Sequence, residues 1–113
     1  INGANKIQTN YYSENGEFSR DIADLELPDE TKNYVYYVPD KISFFPIPPD
    51  LSIILGIPKD DQFRYVIGVI YIKNDGSYYQ GLCKVYKDEY LFLFFMLIQE
   101  KWDEVDAKYC SSQ

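Results

Sequence analysis

The first twelve residues carry apolar side chains at the spacing of an α-helix. Intervals of three or four residues separate Ile1, Ala4, Ile7 (or Gln8) and Tyr11, which places these side chains on one side of a helix. Asn15-Gly16 follows, and glycine there can adopt the left-handed conformation that ends a helix. The pattern predicts a helix over 1–12. It is either the end of a longer helix or a short helix of its own.

A polar connector, predicted over 17–33, follows the helix. Ser19 is in position to cap a short turn that directs Ile22 and Leu25 inward, and Pro28 stops it. Carboxylates cluster in this connector at Asp21, Asp24, Glu26, Asp29 and Glu30. Carboxylate oxygens suit hard cations, but the chain has no Asp-x-Asp-x-Asp-Gly loop. We therefore interpret the cluster as solvated surface and expect no metal site.

Three segments between 34 and 86 have the composition of β-strands. The first, 34–38, is built from tyrosine and valine. The second, 64–73, is apolar on both of its faces, which predicts a central strand covered on both sides. Asn74-Asp75-Gly76-Ser77 is a strong hairpin signal, so the third strand, 78–86, should return beside the second. We expect these segments to form an antiparallel sheet.

The segment 41–62 is apolar but contains four prolines. Proline cannot donate a backbone hydrogen bond, so we expect neither a continuous helix nor a central strand here. The segment is also too apolar to be a mobile linker. It is predicted to be an ordered excursion across the domain, and the alternative is an exposed patch for a neighbouring subunit.

The C-terminal region combines an unbroken apolar run with a helical stripe. Periodicity cannot distinguish helix from strand over 90–98. Beyond it, helical spacing relates Ile98, Trp102, Val105 and Tyr109, with charged residues between them. We predict an additional C-terminal helix over 88–108. The alternative is a strand at 90–97 followed by a short helix.

The length and net charge of the chain limit the number of domains and the kinds of partner that it can have. A chain of 113 residues and 13.3 kDa is expected to form one domain. Its net charge of −7 argues against a nucleic-acid partner, because binding phosphates requires a basic face. Aromatic residues make up 18% of the chain, which favours strands. The same tyrosines could stack on sugars or partner strands, but they more commonly cover a sheet.

Catalysis is not expected. The chain has no histidine, which removes histidine-dependent nucleophilic, acid–base and zinc chemistry. Carboxylate pairs such as Asp60-Asp61 lie in charged, turn-like contexts, whereas a catalytic carboxylate is expected in an apolar cleft. The glycines are scattered singly and form no phosphate-binding loop. We predict a protein that is not an enzyme and that needs no cofactor or metal.

Cys83 and Cys110 are the two cysteines. A catalytic or metal-binding thiol pair usually lies closer in sequence. A widely spaced pair that holds a C-terminus suits a structural disulfide in an exported protein, which would contribute about 3 to 4 kcal/mol in the chain-entropy model. The alternative is two unrelated buried thiols in a cytosolic domain.

Several motifs then occur in a recognisable order. They are Asn10-Tyr11-Tyr12-Ser13-Glu14-Asn15-Gly16-Glu17-Phe18, Ile22-Ala23-Asp24-Leu25, Leu27-Pro28-Asp29-Glu30-Thr31-Lys32-Asn33-Tyr34-Val35-Tyr36 and Tyr65-Val66-Ile67-Gly68-Val69, followed by Cys83 and a second cysteine near the end. In this combination the chain resembles the type IV pilin-like family, especially its cyanobacterial members. The resemblance covers about 1–38 well and 64–83 moderately.

The resemblance implies an α+β headpiece in which an N-terminal helix packs on an antiparallel sheet. Pilins have a long N-terminal helix whose hydrophobic first half anchors the precursor in the inner membrane and later packs in the filament core. Residues 1–12 would then be the remnant of its second half. The whole chain 1–113 would be one headpiece, with a C-terminal region, 83–110, bounded by the disulfide.

The implied function is a structural subunit, a major or minor pilin, of a type IV pilus or a secretion pseudopilus. Its partners would be other pilin subunits, outside the cytoplasm. The segment 41–58 is the predicted subunit contact, through Phe44, Phe45, Ile47 and Leu51, unless these residues fill the domain's own core. The competing functions are a secreted aromatic-rich binding module and a cytosolic acidic inhibitor.

Overall fold

The computed structural model describes residues 2–42, 45–60, 62–73, 75–99 and 109–112. Two helices and seven strands occur in this part of the chain. They are α1 (Asn2–Asn15), β1 (Tyr34–Tyr37), β2 (Lys41–Ile42), β3 (Phe45–Pro46), β4 (Leu51–Pro58), β5 (Tyr65–Ile72), β6 (Tyr78–Val85), α2 (Tyr90–Ile98) and β7 (Cys110–Ser112), with a single 3-10 turn at Ile22–Leu25.

Five strands form one antiparallel sheet in the order β1-β4-β5-β6-β7, and β2 and β3 pair separately. Strand β5 is central, as its two apolar faces predict, and pairs with β4 (Ile53 opposite Val69) and with β6 (Ile67 opposite Cys83). The predicted hairpin connects β5 to β6, and its Gly76 has a φ of +86°, a conformation that glycine adopts without strain.

Each face of the sheet is covered by one helix. On the first face, β4, β5 and β6 pack under α2; the buried residues there include Ile53, Leu55, Ile67, Val69, Cys83, Val85, Leu93, Phe94 and Leu97. On the opposite face, Ile54 packs with Ala4 of α1 and with Leu25 of the connector. This alternation follows from the two-residue period of a strand. The predicted α+β, pilin-like arrangement is confirmed.

Helix α1 ends at the predicted Asn15-Gly16 signal and so runs three residues past the predicted bound of 12. Gly16 has a φ of +75°, and its amide donates to the carbonyl of Tyr12 at 2.8 Å. The cap of the 3-10 turn differs from the prediction: Asp21, not Ser19, occupies the N-cap position, and its carboxylate accepts from the Ala23 amide at 3.0 Å. Ser19 instead donates its hydroxyl to Asp24 at 2.8 Å.

The expectation that 41–62 contains no central strand is wrong. Strand β4 lies inside the sheet, between β1 and β5. The prolines of this segment fall at 46–49 and at 58, so seven residues, 51–57, keep the backbone donors that a central strand requires. Pro58 is the last residue of the strand, opposite Tyr34. The prolines therefore bound the strand and do not prevent it.

The apolar run near the C-terminus is a helix, so the alternative of a strand at 90–97 is wrong. Helix α2 covers Tyr90–Ile98, and the remainder of the predicted helix, 100–108, lies outside the described residues. Strand β7 was not anticipated. It pairs with β6 so that Cys110 stands opposite Cys83, and it forms one edge of the sheet.

Candidate functional site

The contact between α1 and the sheet is built around one buried glutamine. The Nε2 of Gln8 donates to the Ser19 carbonyl at 2.9 Å and to the Ser52 hydroxyl at 3.0 Å. The Ser19 amide in turn donates to Oε1 of Gln8 at 2.8 Å. One side chain thereby joins α1, the connector and β4. All three residues are buried, so these hydrogen bonds have no competition from water.

A second buried amide lies one turn earlier on α1. Asn5 is buried, and its Nδ2 lies 3.5 Å from the Gly81 carbonyl of β6, at the outer limit for a hydrogen bond. Its Oδ1 has no partner. Burying such an atom costs free energy, so Asn5 contributes less to holding α1 than Gln8 does.

The face of the sheet that lies away from α1 contacts α2 through apolar and aromatic groups. Tyr90 packs edge-on against Phe94, with ring centroids 4.7 Å apart, and lies 5.3 Å from the Tyr65 ring of β5. Burial, with a smaller contribution from Tyr65, raises the pKa of the Tyr90 phenol above its ordinary value. The neutral phenol is therefore the form that the folded state favours.

The two cysteines form a disulfide. Cys83 on β6 and Cys110 on β7 are joined across the edge of the sheet. Cys83 belongs to the core under α2, and the bond closes a loop with a sequence separation of 27 residues. The described residues contain no free cysteine. The bond ties the last strand to the face that α2 covers.

The residues predicted for subunit contact are not placed together on the surface. Ile47 and Leu51 are buried in the core under α2. Phe45 belongs to the short strand β3, and Phe44 lies outside the described residues. The side chains of Ile47 and Leu51 therefore fill the domain's own core, which is the alternative interpretation to a subunit contact for these residues.

The acidic connector engages in local contacts. Ser19 donates to Asp24, and Glu30 pairs with Lys59 at 2.7 Å. Hydrogen bonding and attraction to Lys59 lower the pKa of the exposed Glu30 carboxyl.

In the part of the chain that the structure describes, no group of three or more possible metal ligands is found. Over the same residues, no helix has the length and apolar character to cross a membrane.

Sequence reasoning missed Gln8 and Ser52 as the residues that position α1. Gln8 was named only as an alternative to Ile7 in the helical stripe. The available signal was Ser52, the one polar residue within the apolar run 51–55, because a buried hydroxyl requires a partner.

The comparisons with known proteins agree with this architecture. The family model for type IV pilin-like G and H matches residues 1–89. No curated protein and no solved structure matches the chain. Because the matched region includes α1, the connector and the strands β1 to β6, the chain belongs to the type IV pilin-like family.

Proposed function

We propose that this chain is the headpiece of a structural subunit, a major or minor pilin, of a type IV pilus or a related secretion pseudopilus. The observation that carries the proposal is the attachment of α1 to one face of the sheet, in a chain whose family is pilin-like. The subunit would act by packing beside other pilin subunits, without catalysis and without a cofactor.

In this proposal α1 continues upstream as a hydrophobic helix. That segment would anchor the precursor in the inner membrane and would later lie in the filament core, so that residues 1–113 form the headpiece outside the cytoplasm. The Gln8 hydrogen bonds support one part of this proposal, the firm attachment of α1 to the headpiece. They attach α1 to both the connector and β4, so a helix held in a filament would hold its headpiece in a defined orientation.

The test is the location of the full-length protein in its native host. A tagged protein, expressed from its own gene, is expected in the filament fraction that shearing removes from cells, and loss of the prepilin peptidase should retain it in the membrane. Recovery of the protein in the cytosol with reduced thiols would instead support the acidic inhibitor. Recovery as a secreted protein independent of the peptidase would support the binding module.

A subunit contact through 41–58 is part of the proposal. Ile47 and Leu51 are buried, so Phe44 and Phe45 are the residues to test. We expect Phe44→Ser with Phe45→Ser to reduce filament formation while the disulfide-bonded domain stays folded. If the double variant instead lowers the melting temperature by several degrees, the two side chains serve the core and this contact is wrong.

A further inference from the structure

The two ends of the sheet differ in their relation to α1. Near the C-terminal end of the helix, Tyr12 lines a cleft together with Ile72, the last residue of β5. About two turns earlier, Ala4 packs with Ile54, which is paired with Gly68 in the middle of β5. Followed toward its N-terminus, α1 therefore runs toward the end of the sheet at which β5 begins. We call this end, which includes residues 29–33, 59–60, 62–64 and 86–89, the proximal end, and the end at the β5–β6 hairpin the distal end.

Two aromatic side chains project from the proximal end. Phe63, just before β5, and Tyr86, just after β6, are each about half exposed. The pairing of Tyr65 with Val85 places their two loops side by side. The Arg64 guanidinium lies over the Tyr86 ring, 5.9 Å from its centroid, a distance at which a cation is attracted to the ring. The two aromatic side chains and this cation therefore form one exposed surface.

The charges of the proximal end nearly cancel. In sequence, its loops carry four cations, Lys32, Lys59, Arg64 and Lys87, and six carboxylates, Asp29, Glu30, Asp60, Asp61, Asp88 and Glu89. One of these cations is already paired, since Lys59 lies 2.7 Å from the Glu30 carboxylate. A surface with a small excess of acid does not attract anionic groups. A partner of this end would therefore be held by burial of the aromatic side chains and not by charge.

We propose that the proximal end rests on a zwitterionic bilayer surface before assembly, with Phe63 and Tyr86 in the headgroup region. The inference rests on the function proposed above and names the partner of the free headpiece. The direction of α1 selects the bilayer, because a membrane-spanning helix that continues α1 upstream brings the proximal end, and not the distal end, against the membrane. Aromatic side chains are favoured at the membrane interface, and Arg64 can extend its guanidinium to a lipid phosphate.

The first test is photocross-linking of the full-length protein in phosphatidylcholine vesicles. Phe63 or Tyr86 is replaced by p-benzoylphenylalanine, which bonds to nearby C–H groups on illumination, and the adducts are identified by mass spectrometry. We expect lipid adducts at both positions. The matched control is the same replacement of Tyr78, which is similarly exposed but lies at the distal end, and it should give few. Equal lipid labelling at all three positions, or bonds from 63 and 86 to a second copy, would contradict the membrane contact.

The second test varies lipid charge and salt in the same vesicles. Replacing about half of the lipid by anionic phosphatidylglycerol should lower the yield of lipid adducts, because the proximal end has an excess of carboxylates. Raising NaCl to about 1 M, where the Debye length is about 3 Å, should leave the yield in phosphatidylcholine unchanged. Adducts that increase with anionic lipid and disappear at high salt would show an electrostatic contact through Arg64, and the aromatic contact would be wrong.

The outcomes separate this contact from the function itself. If the full-length protein inserts into vesicles but positions 63 and 86 show no preference for lipid, the contact is wrong and the function stands. If the protein does not insert, the proposed function fails, and flotation of residues 1–113 with phosphatidylcholine vesicles decides the contact alone. Phe63→Ser with Tyr86→Ser should then reduce the bound fraction at least about tenfold, because burial of two aromatic side chains is lost, whereas Tyr78→Ser should not. A chain that does not float, or equal losses in both variants, overturns the contact.

Discussion

The two faces of the sheet are covered by helices of opposite character. Helix α2 packs through Leu93, Phe94 and Leu97, which are fully buried against apolar strand residues. Helix α1 packs through Ala4 and two buried amides, Asn5 and Gln8. The Gln8 side chain forms short hydrogen bonds to the connector and to β4. The same strands, with alternating side chains, therefore support two kinds of interface.

The two interfaces contribute differently to the stability of the domain and to the orientation of its helices. Apolar burial is favourable in any orientation that removes the same area from water, so α2 contributes mainly stability. A buried hydrogen bond adds little net free energy but is costly when left unmade. The Gln8 contacts therefore penalise any rotation or shift of α1, which suits a helix that must hold its headpiece in a fixed relation to neighbouring subunits.

The largest loss of stability is expected when a side chain in the core under α2 is truncated. Leu93 is 0% exposed and Leu91, on the same helix, is 51% exposed, so they form a matched pair. Leu93→Ala should lower the free energy of unfolding by roughly 2 to 5 kcal/mol, because it leaves a cavity. Leu91→Ala should change it by less than about 0.5 kcal/mol. Denaturant unfolding measures both, and equal losses would contradict the assigned faces of α2.

A smaller effect of a different kind is expected on the α1 face. Gln8→Leu keeps most of the buried volume but leaves the Ser19 amide and carbonyl unpaired, so stability should fall by about 1 to 3 kcal/mol. Hydrogen exchange should accelerate in α1 and the connector more than in α2. Gln62→Leu, at an exposed position, is the control. Uniform acceleration across both helices would show that Gln8 has no special role in holding α1.

The smallest expected effect is a change in stability at alkaline pH. It comes from Tyr90, which lies between α2 and the sheet. The pKa of Tyr90 is raised above its ordinary value of 10.0 by burial and then by Tyr65. A raised pKa contributes stability that is present below pH 10 and is lost as the pH rises through the folded-state pKa. Tyr90→Phe should therefore weaken the loss of stability above pH 10, as measured by thermal unfolding. Tyr86→Phe, an exposed control, should not.

Much of the sheet was predictable from local pattern. The hairpin Asn74-Asp75-Gly76-Ser77 and the two apolar faces of 64–73 were sufficient to place β5 and β6 side by side. Strand β4 was not predicted because the number of prolines in 41–62 was considered without their positions. All four lie outside 51–57. In the apolar run 90–98, periodicity carried no information because nearly every position is apolar. The helix preference came from the residues beyond it, which lie outside the described part of the chain.

The candidate site was less predictable. Phe44, Phe45, Ile47 and Leu51 were grouped by apolarity alone, yet Ile47 and Leu51 are buried under α2. Burial of a strand residue depends on what covers its face, and that partner is distant in sequence. Gln8 reads as an ordinary polar helix residue until Ser19 and Ser52, 11 and 44 residues away in sequence, are brought beside it.

The sequence by itself determined the helix end at Gly16, the hairpin, the central strand and the family resemblance, because short-range backbone preferences and side-chain periodicity act within a few residues. Only the tertiary structure decided that β4 joins the sheet interior and that Cys110 lies on a strand opposite Cys83. It also decided that the Gln8 hydrogen bonds supplement the apolar contacts of α1, while α2 is held by apolar packing. These outcomes depend on contacts between distant segments, whose free energies no local pattern records.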